Sequence, residues 1–387
     1  MKKLTFVSIV FLLVSFNSFS QSHSGNITSD ETWSGTNWIT GNVTVLDGVT
    51  LTIDPGSTIK ISQGTQLEIR GRLHANGTGS DPITFTTNGT PPYNGFWNRI
   101  FFNGADSASY LEACIIEYGG GSDGNIVIHN WQDNVEIDDC IIRYSGSDGI
   151  YVNDHNTFPS HPYLIDNDIY GNDGIGINFS YGYSGGYLSN CHIHDNGSYP
   201  LRIWAEYVRN IGASMEYYGN GPDVIYVEGC NTYTGTWTPQ GSVPYMIGSN
   251  MTVMDGHTLT LNPGCLLTFG NDVGMEIEGA LAADGDPADI ITFTSAQSSP
   301  TPGYWRYLYF NGADAGTILN NCKVMCGGST YETNIRIHNS SNNVTITNCE
   351  ISHGSKRGIY LHDYNTPPST LNISNSIISD NGAIGVD

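Results

Sequence analysis

The sequence predicts an all-β solenoid, a parallel β-helix built from two duplicated modules. Three observations lead there: a strand-and-turn unit of eight residues, a second period in the mid-twenties, and one long internal repeat. Val45, Ile53, Ile61 and Ile69 stand eight residues apart, each closing a short alternating strand such as Val43-Thr44-Val45 or Leu51-Thr52-Ile53. Gly48, Gly56 and Gly64 share that spacing at the turns. Alternation sends one side chain in two inward, and glycine permits a tight corner between successive strands. Three such units make a coil of 24 residues. Farther on, Cys114 and Cys140 lie 26 apart, Cys322 and Cys349 lie 27 apart, and Gly149 and Gly174 lie 25 apart. With Asn- and Gly-rich corners and no amphipathic helix, this is the pattern of stacked coils.

The long repeat divides the chain. Asp47, Pro55, Gly71, Leu73, Ile83, Thr84, Trp97, Asn103-Gly104-Ala105-Asp106 and Cys114 return 208 residues later as Asp255, Pro263, Gly279, Leu281, Ile291, Thr292, Trp305, Asn311-Gly312-Ala313-Asp314 and Cys322. After a one-residue slip, Ile128-His129-Asn130, Cys140 and Gly149-Ile150-Tyr151 return as Ile337-His338-Asn339, Cys349 and Gly358-Ile359-Tyr360. A constant offset over that distance is an internal duplication. It gives a first module over residues 21–221 and a second over 222–387. Asp387 pairs with Asn178, where the first copy continues, so the chain is expected to be cut short or to be followed by a further segment.

Residues 1–20 read as a signal peptide. Lys2 and Lys3 precede an apolar run from Leu4 to Val14, and Ser18-Phe19-Ser20-Gln21 supplies small and polar residues at the cut. The run is too short to span a bilayer, no later segment is long enough, and no Cys near the cut marks a lipoprotein. The expected location is secreted, or the outer surface of a Gram-negative-type bacterium. With 37 acidic against 14 basic residues the net charge is −23, and removing the two leader lysines makes it −25. Nucleic acid is excluded as a partner, because phosphate binding needs a basic footprint. At 39% hydrophobic the chain is too apolar to be disordered, and 47 Gly in 387 residues is far below the one-third of collagen.

Ile346-Thr347-Asn348-Cys349-Glu350-Ile351 followed by Gly358-Ile359-Tyr360-Leu361 resembles the right-handed parallel β-helix repeat of secreted bacterial, pectin-lyase-like proteins. Leu188-Ser189-Asn190-Cys191-His192-Ile193 and Ile373-Ser374-Asn375-Ser376-Ile377-Ile378 carry the same pattern. So does the module start, Gly48-Val49-Thr50-Leu51-Thr52-Ile53-Asp54-Pro55-Gly56. The resemblance covers most of residues 40–387 and implies the fold. It does not imply an activity, since that superfamily holds lyases, hydrolases, epimerases, adhesins and tail-spike proteins.

Eight Cys in an exported chain invite a disulfide reading. Cys114, Cys140, Cys322 and Cys349 fall at one point of their coils, however, and Cys191 at a corresponding point. That favours a ladder of buried thiols over bridges. No Cys-x-x-Cys pair suggests a metal thiolate. Asn167, Asn190, Asn348 and Asn375 read as a corner ladder whose amides bond coil to coil.

Aligning coils on Gly149, Gly174 and Pro200 predicts three outward columns: Asp148, Asp173 and Tyr199; Tyr151, Gly176 and Arg202; Asn153, Asn178 and Trp204, with His129 one coil earlier. On this alignment Asp148, Asp173 and Arg202 are the candidate catalytic set. Two carboxylates about 5 Å apart would split their pKa values or share Ca²⁺. Asp before Gly is also a common turn residue, which accounts for both acids without chemistry. Tyr151, Tyr199 and Trp204, with the Tyr181, Tyr183 and Tyr187 cluster, are candidates for stacking on sugar rings. No cofactor is required on this reading. Ca²⁺ could bind weakly at the recurring loops containing Asp154 and Asn156, and Asp363 and Asn365, where an Asx turn before Pro159 and Pro368 serves equally. In the second module His338, His362 and Asp387 align as an alternative metal column or an exposed polar ladder. Trp97 and Trp305 occupy the same place in both copies and read as packing residues.

The chain has no phosphate-binding Gly loop, no His-Glu-x-x-His and no Gly-x-Ser-x-Gly. The Asn-Thr-Asp, Asp-Asp and Gly-His-Gly set of polygalacturonase-like hydrolases is missing too, with Asp138-Asp139 alone beside Cys140. The leading expectation is therefore a non-catalytic exported scaffold, monomeric, that binds a polysaccharide or glycoconjugate or serves in adhesion. A polysaccharide lyase or glycoside hydrolase is the alternative, and a spacer for a further domain the third. The acidic balance favours neutral glycans or Ca²⁺-bridged acidic ones.

Overall fold

A computed structural model describes residues 21–105, 108–129, 135–153, 160–181 (Tyr181 by its backbone), 184–339, 344–363 and 371–387. It is nearly all β, a right-handed parallel solenoid whose coils have three sides. In the first module the first face stacks Thr58–Ile61, Ile83–Thr87, Cys114–Glu117, Ile141–Arg143, Asp168–Tyr170, His192–His194 and Glu216–Tyr218. The second face stacks Leu67–Ile69, Ile100–Asn103, Gly124–His129, Asp148–Asn153, Ile177–Tyr181, Leu201–Trp204 and Ile225–Glu228. The third runs from Glu31–Trp33 to Tyr187–Ser189. Every ladder is parallel, so each coil is satisfied by the next.

The eight-residue unit does what alternation requires. Thr50–Ile53 and Thr58–Ile61 both alternate half-buried with buried residues. Val45, Ile53, Ile61 and Ile69 are all in the core. Gly48, Gly56 and Gly64 turn the corners with φ of 76°, 74° and 68°, a region that glycine enters without penalty. Gly71 and Gly279 are required for a different reason. A Cβ on Gly71 would lie 2.2 Å from the Val49 carbonyl oxygen, and one on Gly279 2.2 Å from that of His257.

The cysteine ladder is present, with all eight thiols free and only Cys230 not buried. Cys114, Cys140 and Cys191 sit in the core beside the corner between third and first faces, and Cys322 and Cys349 at the equivalent corner of the second module. The corner itself is one residue in the left-handed region: Asp139, Asp166 and Asn190 in the first module, Asn321, Asn348 and Asn375 in the second. Asn167 does not belong to it. It takes a place in the thiol column, where its Oδ1 accepts from the Cys140 amide at 3.1 Å and its Nδ2 donates to the Ile137 carbonyl at 2.8 Å. The buried asparagine ladder lies elsewhere, in Asn172, Asn196 and Asn220. Each Nδ2 donates to the next Oδ1 at 2.9 Å, and each Asn also donates to the carbonyl of an earlier coil.

At the module junction the copies change sides. Tyr245–Ile247 stands 208 residues after Asn37–Ile39, a first-face segment. Yet it pairs with Ile225–Val227 on the second face, and the equivalents of the first-face strands continue that ladder from there. The other two sheets restart at Asn231–Thr232 and Gly235–Trp237, above the short 3-10 helix Ala205–Asn210. Each face of the second module thus lies one side farther round the coil than its counterpart. Copies in sequence point in different directions in space.

Candidate binding surfaces

The predicted set Asp148, Asp173 and Arg202 lies on the second face, in a register that differs from the aligned one. Ile150 pairs with Ile177 and Tyr151 with Asn178, an offset of 27 rather than 25. The 27-residue step already separates Glu136 from Tyr163 and Ile142 from Ile169, so the added length lies between Ile150 and Tyr163 and not in the corner before Ile177. Asp148 is 8% exposed, and its carboxylate accepts from the Ile175 amide at 2.7 Å and from Asn178 Nδ2 at 2.7 Å. Burial raises its pKa, against those bonds and the charge of Arg202. Asp173 is exposed on the corner, where it accepts from Asn94 Nδ2 at 2.9 Å. The two carboxylates are not stacked. Asp148 serves as a cross-coil brace, and the expected pair is replaced by Asp148 over Gly174.

The true outward column runs Phe101, Val127, Tyr151, Asn178, Arg202, Tyr226. Arg202 pairs with Glu228 at 3.0 Å and lies 5.5 Å from the Tyr226 ring, which Tyr199 contacts at 5.0 Å. Trp204 pairs in register with Glu228, not with Asn178, and packs partly against the core. Tyr187 is on the third face, stacked 4.9 Å from Tyr163 with both rings exposed. It is on a different side from Tyr151 and Arg202. The side chain of Tyr181, and all of Tyr183, lie outside the described residues. So do Asp154, Asn156 and Asn365 of the Ca²⁺ loops; Asp363 accepts from the Asn339 amide at 2.6 Å.

The metal column of the second module does not assemble. His338 and His362 do stack, 6.3 Å apart, but Asp387 turns to Arg357 Nε at 2.6 Å. Among the described residues no three His, Cys, Asp or Glu converge as metal ligands. Trp97 and Trp305 are fully buried, and each indole donates to a carbonyl one coil on, Glu117 at 2.9 Å and Met325 at 2.7 Å.

Two surfaces escaped the sequence reading. On the first face, Glu117, Arg143, Tyr170, His194 and Tyr218 form one in-register column. Arg143 donates to Glu117 and, at 2.7 Å, to the Tyr170 hydroxyl. His194 is stacked between Tyr170 and Tyr218 at 4.8 and 4.6 Å, with Asp168 and Asp195 at its ring nitrogens. The signal was present in Tyr170-Gly171-Asn172, His194-Asp195-Asn196 and Tyr218-Gly219-Asn220, spaced at 24. On the second module, Glu276, Tyr309, Arg336 and Tyr360 form a column beside His338 and His362.

Residues 124–280 match the family model of the right handed beta helix region. The fold of the chain is a right-handed parallel β-helix. The match spans the module junction, so the β-helix runs unbroken from one copy into the other. This is consistent with the pectin-lyase-like repeat proteins that the sequence resembles. No curated protein and no solved structure matches the chain significantly. Among the described residues no helix is long and apolar enough to cross a membrane.

Proposed function

We propose that this β-helix is an exported, non-catalytic scaffold that binds saccharide through tyrosines on its outer faces. The observation that carries the reading is how the aromatic side chains are sorted. Trp33, Trp97, Trp237, Trp305, Phe85, Phe102, Phe179, Phe269, Phe293 and Phe310 fill the core. The exposed large side chains include Tyr93, Tyr163, Tyr187, Tyr218, Tyr233 and Tyr331. Tyrosine offers a broad apolar ring with a hydroxyl at its edge, at the cost of ordering only two torsions, and suits a sugar's mixed surface. Coil stacking supplies rings at intervals of about 5 Å along a rigid surface.

A lyase or hydrolase on the second face would need Asp148, Asp173 and Arg202 in one line. Asp148 is instead buried and committed, and Arg202 is paired with Glu228. The discriminating experiment screens purified protein against a polysaccharide panel, with and without Ca²⁺, for binding and for unsaturated or reducing-end products. Binding without product is expected. Products that vanish in Asp173→Ala would overturn the scaffold reading, and absence of binding to every glycan would leave a spacer.

A further inference from the structure

The structure assigns a second role to the second-module face: Arg336, held against Tyr309 and Tyr331, is a receptor for the oxyanion of an acidic saccharide, a carboxylate or a sulfate ester. The assignment rests on the saccharide-binding reading and names the ligand class of one site within it.

Arg336 projects from Thr333–His338 with its guanidinium carbon 4.5 Å from the Tyr309 ring and 3.9 Å from the Tyr331 ring. The guanidinium thus lies against two tyrosine rings. A guanidinium's donors lie in its plane, where a two-oxygen anion accepts them as a fork. Among the described residues Arg336 has no carboxylate within ion-pair distance, and its Nε is buried without an acceptor. Arg70, Arg99, Arg143, Arg202, Arg209, Arg306 and Arg357 all pair with one.

The first module shows what a neutralised version looks like. There Arg99 stacks 4.3 Å from Phe101, the counterpart of Tyr309, and pairs with Asp123. The counterpart of Asp123 is Glu332, since the Asp123 carbonyl accepts from the Asp148 amide and the Glu332 carbonyl from the Arg357 amide. Glu332 turns instead to Lys356 at 2.6 Å and Arg357 at 3.9 Å. In a chain of net charge −23 this leaves one stacked guanidinium uncompensated. The charge is felt locally: burial and then Arg336 lower the pKa of His338. The nearest acid along the column, Glu276, accepts from Asn311 Nδ2 at 2.8 Å.

An indentation against which the edge of a sugar could rest lies beside Arg336. A shallow cleft of about 80 Å³ is lined by Thr252, Glu276, Arg306 and Tyr307. The Tyr307 ring, which lines the cleft, lies 5.6 Å from Tyr309 and 5.9 Å from Tyr331, the two rings against Arg336. A sugar resting against Tyr307 would direct an acidic substituent at Arg336.

The test titrates the full chain with glucuronate, glucose 6-sulfate and glucose, followed by ligand-observed NMR. Binding of one or both charged sugars, with glucose at least tenfold weaker, is expected; which of the two binds identifies the oxyanion. Arg336→Gln should lose at least tenfold. Arg336→Lys should lose several-fold, because an ammonium keeps the charge but not the fork. Tyr331→Ala, at a half-exposed position whose removal leaves the core intact, should also weaken binding. Circular dichroism verifies that each variant folds. Glucose binding as well as the charged sugars, or charged-sugar binding unchanged in both Arg336→Gln and Tyr331→Ala, overturns the assignment while the saccharide-binding reading stands. If neither charged sugar binds, the assignment fails; if the polysaccharide panel is also blank, both fail.

Discussion

Truncating the middle of the buried asparagine ladder, Asn196→Ala, should be among the most damaging single changes at a polar residue. Asn196 Oδ1 accepts from the Asn172 amide at 3.2 Å and from Asn172 Nδ2 at 2.9 Å. Its Nδ2 donates to the Ile169 carbonyl at 3.1 Å and to Asn220 Oδ1 at 2.9 Å. The site is 2% exposed, so water cannot replace these partners without opening the corner. Truncation orphans the Asn172 N–H and the Ile169 carbonyl, at about 1–3 kcal/mol each, and removes one link from each neighbouring amide. The sum is about 4 kcal/mol. Asn190→Ala, in an exposed corner at φ 54°, loses a bond to Asp166 and a residue tolerant of that conformation, about 1 kcal/mol. Urea unfolding followed by tryptophan fluorescence reads the difference, and hydrogen exchange at the Asn172 amide reads the local opening. If Asn196→Ala costs no more than Asn190→Ala, or the Asn172 amide keeps its protection, the ladder is not what holds this corner.

Two further outcomes follow from burial. The raised pKa of Asp148 means that the folded chain binds its proton more tightly than the unfolded one does, so its stabilising contribution is complete below the usual 3.8 and declines as pH rises through the folded value. In Asp148→Asn the Ile175 contact survives, and a flip of the Asn178 amide lets its Oδ1 accept from the new Nδ2 in place of the bond Asn178 Nδ2 now donates; stability at pH 7 should be little changed, with that part of the pH dependence gone from urea midpoints. Iodoacetamide under native conditions should modify Cys230 first, with the other seven thiols labelled only on unfolding, as read by mass spectrometry, and reductant should leave the melting temperature unchanged.

The fold was legible because its rules are local. Alternation, eight-residue glycines and the 208-residue offset each report on neighbouring strands, and Gly71 and Gly279 even meet the same backbone obstruction in both copies. The columns were less legible, because a stacked neighbour is fixed by the length of every corner between. A coil of 27 residues followed by one of 24, where the aligned glycines and proline gave 25 and 26, was enough to separate Asp148 from Asp173 and Trp204 from Asn178. Asn172, Asn196 and Asn220 were hidden in the same way. They carry the same residue type as the exposed corner ladder, and only the coil geometry tells an inward amide from an outward one.

The change of sides at the junction bears on how two copies of one module come to differ outside. Had the modules stacked in phase, their second faces would form one strip, and a long ligand would meet both. Because Tyr245–Ile247 continues the second face from Ile225–Val227, the two equivalent columns face apart. Each is then constrained by its own surface alone. The interior, which must accept the next coil in either module, keeps Trp97 and Trp305 with the same carbonyl partner position. The exterior does not: Phe101, Val127 and Tyr151 stand where the second module has Tyr309, Arg336 and Tyr360. A surface that no longer shares a ligand with its copy is free to keep an arginine with no carboxylate partner among the described residues, as the second module does at Arg336, where the first has Val127.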